Sequence, residues 1–194
     1  MKRVGVLSLQ GDVGEHVRTL SALGCEVVKV RTVEQLESVD GLVMPGGEST
    51  AIAHLLSTSG LSDALGLKLK EEMPVFGTCA GLILLSAHVL DGRSDQWSYG
   101  ALAISVRRNG YGRQIASFEA PLDVKGLGTM PGVFIRAPKI EQVSDDVEVL
   151  ATFDQENGEG PHPVLVRQGS VWGASFHPEL TSDTRLHHLF VDSL

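Results

Sequence analysis

Basic charge is scarce in this chain: 16 lysines and arginines stand against 24 aspartates and glutamates, a formal net charge of -8. That balance excludes nucleic acid as a main partner, because holding a phosphate backbone needs a basic surface. Cysteine is scarcer still. Cys25 and Cys79 sit in separate apolar contexts without a Cys-x-x-Cys spacing, so neither a disulfide framework nor a metal site is expected, and two reduced thiols fit a cytoplasmic protein. No apolar run nears the ~20 residues a membrane span requires. Residues 1–9 faintly imitate a leader, but Gln10-Gly11-Asp12 cuts the run short, and it reads as a first buried strand. A Gly-x4-Gly-Lys-Ser/Thr phosphate loop is also missing. What is present, 42% hydrophobic residues over 194 positions, suits one domain, 1–194, with a substantial core.

Strand and helix patterns alternate through the first half. Residues 3–9 read as a strand; Val13, Val17, Leu20 and Leu23 then recur at helical spacing until Gly24. Residues 25–30 and 41–44 are further strands, and 51–56 and 61–72 further helices. From Trp97 the texture changes to short strands at 101–106, 114–118, 131–135, 147–153, 163–168 and 171–176, with a loop tip at Asn157-Gly158-Glu159-Gly160 and a closing helix from about Asp183. The implied fold is α/β: a three-layer, flavodoxin-like mixed sheet, parallel in the N-terminal half with antiparallel additions, and helices on both faces. In such sheets sites form beyond the carboxyl ends of the strands. Gly46-Gly47 and Cys79 both fall there.

Cys79 is the most informative residue. A short apolar strand, Pro74-Val75-Phe76, runs into Gly77-Thr78-Cys79-Ala80-Gly81, and an apolar run of helical length follows. Small residues flanking a thiol at a strand-to-helix corner match the elbow on which α/β hydrolases hold a nucleophile, and a helix N-terminus there favours a thiolate. Alternatively, Cys79 is a small buried residue of a non-catalytic flavodoxin-like binding module. A base and its orienting group are available in His177-Pro178-Glu179. At the end of a strand, residues two apart project to the same side, so Glu179 can hold the His177 imidazole in one tautomer. The N–H groups of Ala80 and Gly47 are candidate donors for a tetrahedral oxyanion. Arg107, Arg108 and Arg113 bracket a glycine-rich loop suited to a small anion such as a carboxylate. The other histidines form no ligand set.

Jointly, Gly77-Thr78-Cys79-Ala80-Gly81 and His177-Pro178-Glu179 resemble the class I triad glutamine amidotransferases. Further blocks at 7–16, 45–50, 108–114, 134–138 and 176–181 resemble the glutaminase subunits of ribose 5-phosphate-dependent pyridoxal 5'-phosphate synthases. The resemblance implies hydrolysis of L-glutamine to glutamate and ammonia by Cys79, His177 and Glu179. It implies that glutamine is held by Gly47, Glu48, Ser49, Arg108, Ile135 and Arg136, with no cofactor. It also implies a synthase partner, a (β/α)8 barrel. Nearness to the strand ends places its docking around residues 10–16 and Gly46-Gly47, where the glycines would let docking adjust the oxyanion loop. Another triad glutaminase or cysteine hydrolase on the same scaffold is the alternative enzyme. Two stretches depart from the family pattern: Gly110-Tyr111, often Ala-Phe in relatives, and residues 156–162.

Overall fold

The computed structural model describes residues 1–93, 95–111, 117–155 and 158–194. Its first half alternates as expected: β1 (Arg3–Leu7), α1 (Val13–Ala22), β2 (Glu26–Val30), α2 (Val33–Glu37), β3 (Gly41–Met44), α3 (Ser49–Thr58), α4 (Leu61–Lys70), β4 (Val75–Thr78) and α5 (Ala80–Leu85). The second half is strand-rich: β5 (Ser86–Val89), β6 (Leu102–Arg107), β7 (Ser117–Val124), β8 (Gly128–Ile135), β9 (Lys139–Val143), β10 (Glu148–Phe153), β11 (His162–Gln168) and β12 (Val171–Ala174). A single 3-10 turn, Pro178–Leu180, precedes the last helix, α6 (Arg185–Asp192).

One seven-stranded sheet, in the order β10-β11-β12-β4-β3-β1-β2, carries the architecture. β2, β1, β3, β4 and β12 run parallel, and β11 and β10 add antiparallel at one edge. Side chains alternate across each strand, so both faces must be covered. Val6, Val43, Phe76 and Trp172 pack on one face against Leu20 of α1 and Leu186 and Phe190 of α6. Leu42, Met44, Val75 and Val171 pack on the other against Leu36, Ile52, Leu56, Leu65 and Leu82 from α2 to α5. Helices therefore cover both faces of a mixed sheet.

Two smaller sheets, β5-β6-β9 and the β7-β8 hairpin, complete the fold. The short strands β5 and β9 are not evident in the sequence pattern. β5 begins directly where α5 ends, with no turn residue between them, and β9 (KIEQV) lacks clean alternation. The hairpin runs farther than the expected 131–135. The start of the expected 114–118 strand, Arg113, and part of the 156–162 stretch lie outside the described residues. The two departures from the family pattern meet, since the Tyr111 hydroxyl lies 2.6 Å from Nε2 of His162. Among the described residues, no helix is long and apolar enough to cross a membrane.

Candidate active site

The elbow is built by close approach of backbones. A Cβ on Gly77 would come within 2.6 Å of the Gly81 carbonyl carbon, and one on Gly81 within 2.2 Å of the Met44 carbonyl oxygen. These two glycines let α5 sit directly on β3 and β4. Cys79 between them has φ 50° and ψ -102°, a conformation costing a non-glycine residue ~1–3 kcal/mol. The chain holds it there through the Cys79 N–H to Ala174 carbonyl bond of 2.8 Å, which ties the elbow to the end of β12. α5 is only six residues long, so the local N–H of Ala80, rather than a long helix dipole, is the electrostatic feature at the thiol.

Because β12 lies beside β4, the residues after its end fall next to the thiol. His177 lines the same cleft as Cys79, and its Nδ1 lies 2.7 Å from Oε1 of Glu179, while the Cys79 thiol itself faces the Ile135 carbonyl at 4.0 Å. Strand alternation is not what joins the pair. β12 ends at Ala174, and the 3-10 turn opened by Pro178 folds Glu179 back under His177. The His177 N–H to Val133 carbonyl bond, 2.8 Å, fixes the turn to β8. Burial opposes charge on His177, but the bonds and charges of Cys79 and Glu179 outweigh it and raise its pKa to about 10. Burial likewise works against the Glu179 carboxylate, yet His16 and His177 hold it well below the usual carboxylate range.

The thiol opens into a cleft of about 390 Å³. Gly47, Glu48, Ser49, Arg108, Ile135 and Arg136 all line it, together with Cys79 and His177. Ala80 is buried in α5 and Glu179 lies behind His177, outside that lining. Arg108 donates to Glu48 at 2.9 Å, so a cation and an anion face each other in the cleft. Glu48 also accepts from the Thr50 and Ala51 N–H groups at 3.0 and 2.7 Å, capping α3. The Ser49 hydroxyl points instead to Gln96, 3.4 Å away. Gln10, Gly11, Asp12, Ile83 and Asn109 complete the wall. Gln10 Oε1 accepts from the Glu48 N–H at 2.9 Å, and the Asp12 N–H donates to the Gly46 carbonyl at 3.1 Å. Residues 10–12 are thereby strapped to the Gly46-Gly47 loop.

A larger groove of about 910 Å³ between α4 and residues 97–101 contains no cysteine or histidine, so the reactive groups belong to the smaller cleft. Donor atoms of Asp12, His177 and Glu179 lie within 4.8 Å of one another. Nδ1 of His177, however, is already engaged by Glu179, which suits a proton-handling pair better than a cation.

Sequence reasoning missed a buried pair behind His177 and Glu179. His16 of α1 and His187 of α6 are both fully buried, and Nδ1 of His16 lies 3.1 Å from Nε2 of His187. Helical spacing offered one signal, because His16 shares the inward face of α1 with Leu20. His16 consequently belongs to the interior, although the stretch 10–16 is expected at a docking surface. Burial, with the neighbouring His16, pushes the His187 pKa down to about 3.

That shift sets a pH dependence. Between about pH 3 and 6.5 the unfolded chain protonates His187 and the folded chain does not, so stability falls as pH falls. Glu179, whose pKa is lowered on folding, acts in the same direction on the acid side. His177, whose pKa is raised, contributes stability that is lost as pH rises from 6.5 through about 10. Thermal melts should therefore show Tm highest near neutral pH. His187 alone should cost ~2 kcal/mol by pH 5, and His187→Leu should flatten that limb. A Tm unchanged from pH 7 to 5 would contradict this.

Taken together, the sheet and the elbow define the class I glutamine amidotransferase fold. The SNO glutamine amidotransferase family model matches residues 6–194, and the chain belongs to that family. The pyridoxal 5'-phosphate synthase subunit PdxT of Mycobacteroides abscessus is 54% identical over 190 residues, covering 97% of this chain and 95% of that protein. The subunit of the same name from Frankia alni is 52% identical over 192 residues, covering 98% and 94%. A crystal structure of a glutamine amidotransferase superposes with a TM-score of 0.90 at 46% identity, covering 98% of this chain and 97% of the other. PurLQS from Thermotoga maritima, at TM-score 0.72 and 15% identity, shares the fold.

Proposed function

We propose that residues 1–194 act as one glutaminase domain that hydrolyses L-glutamine and delivers the ammonia to a pyridoxal 5'-phosphate synthase subunit. The observation that carries this reading is Cys79 beside the hydrogen-bonded pair His177 and Glu179 in a cleft that also holds Arg108 and Glu48. The cation suits the α-carboxylate of an amino acid, and the carboxylate suits its α-ammonium. With those ends fixed, the side-chain amide reaches toward the thiol.

The Cys79 thiolate attacks the carboxamide carbon, forming a C–S bond and an oxyanion facing the Ala80 and Gly47 N–H groups. The His177 imidazolium gives its proton to nitrogen, the C–N bond breaks, and ammonia leaves. Neutral His177 then takes a proton from water as the water oxygen attacks the glutamyl thioester. The C–S bond breaks, glutamate departs, and the thiolate and imidazolium are restored. Glu179 keeps the imidazole oriented and stabilises its charge throughout.

The relatives' names describe a synthase subunit. A (β/α)8-barrel partner docking on the exposed segment at residues 10–12 would act on the Gly46-Gly47 loop through its two bonds to that segment. Gly47, at φ 152°, tolerates peptide reorientation without a Cβ penalty. Glutamate release by the full chain should consequently rise several-fold when a synthase subunit is added. Arg108→Ala should raise KM by ~10–100-fold, the value of one charge-assisted bond pair, with a smaller change in kcat. No glutamate release in either condition would overturn the reading, and equal rates with and without the partner would overturn the coupling.

A further inference from the structure

We propose that His16 is a positioning residue of the glutaminase reaction, holding the Glu179 carboxylate through an N–H bond to the same oxygen that His177 uses. Glu179 is fully buried, and its anchoring is lopsided. Oε1 faces Nδ1 of His177 at 2.7 Å and Nε2 of His16 at 3.4 Å, whereas Oε2 is buried without a hydrogen-bond partner among the described residues. A carboxylate held at one oxygen by His177 alone could swing about that contact and carry the imidazole with it. His16 supplies the second point that fixes it.

His16 is itself fixed from two further elements. Nδ1 lies 3.1 Å from Nε2 of His187 on α6, and Nε2 lies 3.2 Å from the hydroxyl of Thr78, the last residue of β4 and the neighbour of the nucleophile. Next to a carboxylate, Nε2 carries the proton, which it shares between the Thr78 hydroxyl at 3.2 Å and Oε1 of Glu179 at 3.4 Å. The ring thus ties α1, α6 and β4 to one oxygen of the triad acid. The titratable groups that face this point are His177 from the turn after β12, His187 from α6, Asp12, whose Oδ2 lies 3.9 Å from the same Nδ1 of His177 that Glu179 engages, and Cys79 beside His177 in the cleft.

The test uses the full chain with a synthase subunit present, and it rests on the glutaminase reading. His16→Leu should lower kcat by ~10–100-fold, the range for removing a partner that orients a reacting group, with KM changed less than about threefold. Its alkaline limb in kcat/KM should move to lower pH, because a loosely held Glu179 stabilises the His177 imidazolium less. His16→Gln, whose amide carries an N–H at about the same reach, should restore most of the rate and the limb. The pH dependence of Cys79 alkylation by iodoacetamide should shift in the same way without any substrate. If the leucine variant does not fold, His16→Asn, whose shorter amide cannot reach Glu179, takes its place.

A purely structural role would lower the active fraction and leave the limb where it was. An unmoved limb, a limb displaced to higher pH, or a glutamine variant as impaired as the leucine variant would each overturn the assignment. A wild-type complex that releases no glutamate would overturn the glutaminase reading instead.

Discussion

Cys79→Ala is expected to remove glutamate formation, by roughly 10³-fold or more, while leaving glutamine binding within about threefold of wild type. The two expectations separate because the thiol contributes a bond to the reaction and little to the grip on the amino acid. Arg108 and Glu48 line the cleft away from the elbow and are untouched by the change. Alanine also keeps a Cβ at φ 50°, so the elbow's strain persists and the fold is not altered for an unrelated reason. Glutamate release and calorimetric titration with glutamine measure the two quantities. A variant that retains a tenth of the wild-type rate, or one that no longer binds, would show that Cys79 does something other than attack the amide.

Gly81→Ala should destabilise the protein by ~3 kcal/mol or more, or prevent folding, even though alanine is the better helix former by ~1 kcal/mol. The new methyl would sit 2.2 Å from the Met44 carbonyl oxygen and 2.9 Å from its carbon. These are backbone atoms of a central strand packed on both faces, so neither side can yield without moving α5 off the sheet. Gly14→Ala is the matched control. Gly14 is an exposed position in α1, where an added Cβ would meet nothing within 4 Å, and there propensity should prevail, giving a change between zero and ~1 kcal/mol of added stability. Urea midpoints for the two variants decide the matter. Equal stability of Gly81→Ala and wild type would mean that the elbow is not built by backbone contact.

How legible this site is in the sequence depends on how local each cause is. The elbow is legible because its signature lies within five residues, although glycine is required at 77 by contact with Gly81 and at 81 by contact with Met44 of β3. The positions expected to hold substrate, 47–49, 108 and 135–136, follow from the resemblance to a family, and all reach the cleft. Composition cannot place them there, since their meeting depends on strand order. The His177 and Glu179 pair is legible as a pair but not in its geometry, because a proline-opened turn rather than strand alternation brings the groups together. His16 and His187 are illegible as partners. They are 171 residues apart, and only the packing of α1 and α6 on one face of the sheet joins them.

In the proposed reaction glutamine is opened through a covalent thioester on Cys79. Mass analysis of the protein quenched in acid during turnover, followed by digestion, tests it most directly. A glutamyl adduct on the peptide carrying Cys79, absent from Cys79→Ala, is the predicted result. Sustained glutamate formation with no adduct at Cys79, undiminished in the alanine variant, would contradict it.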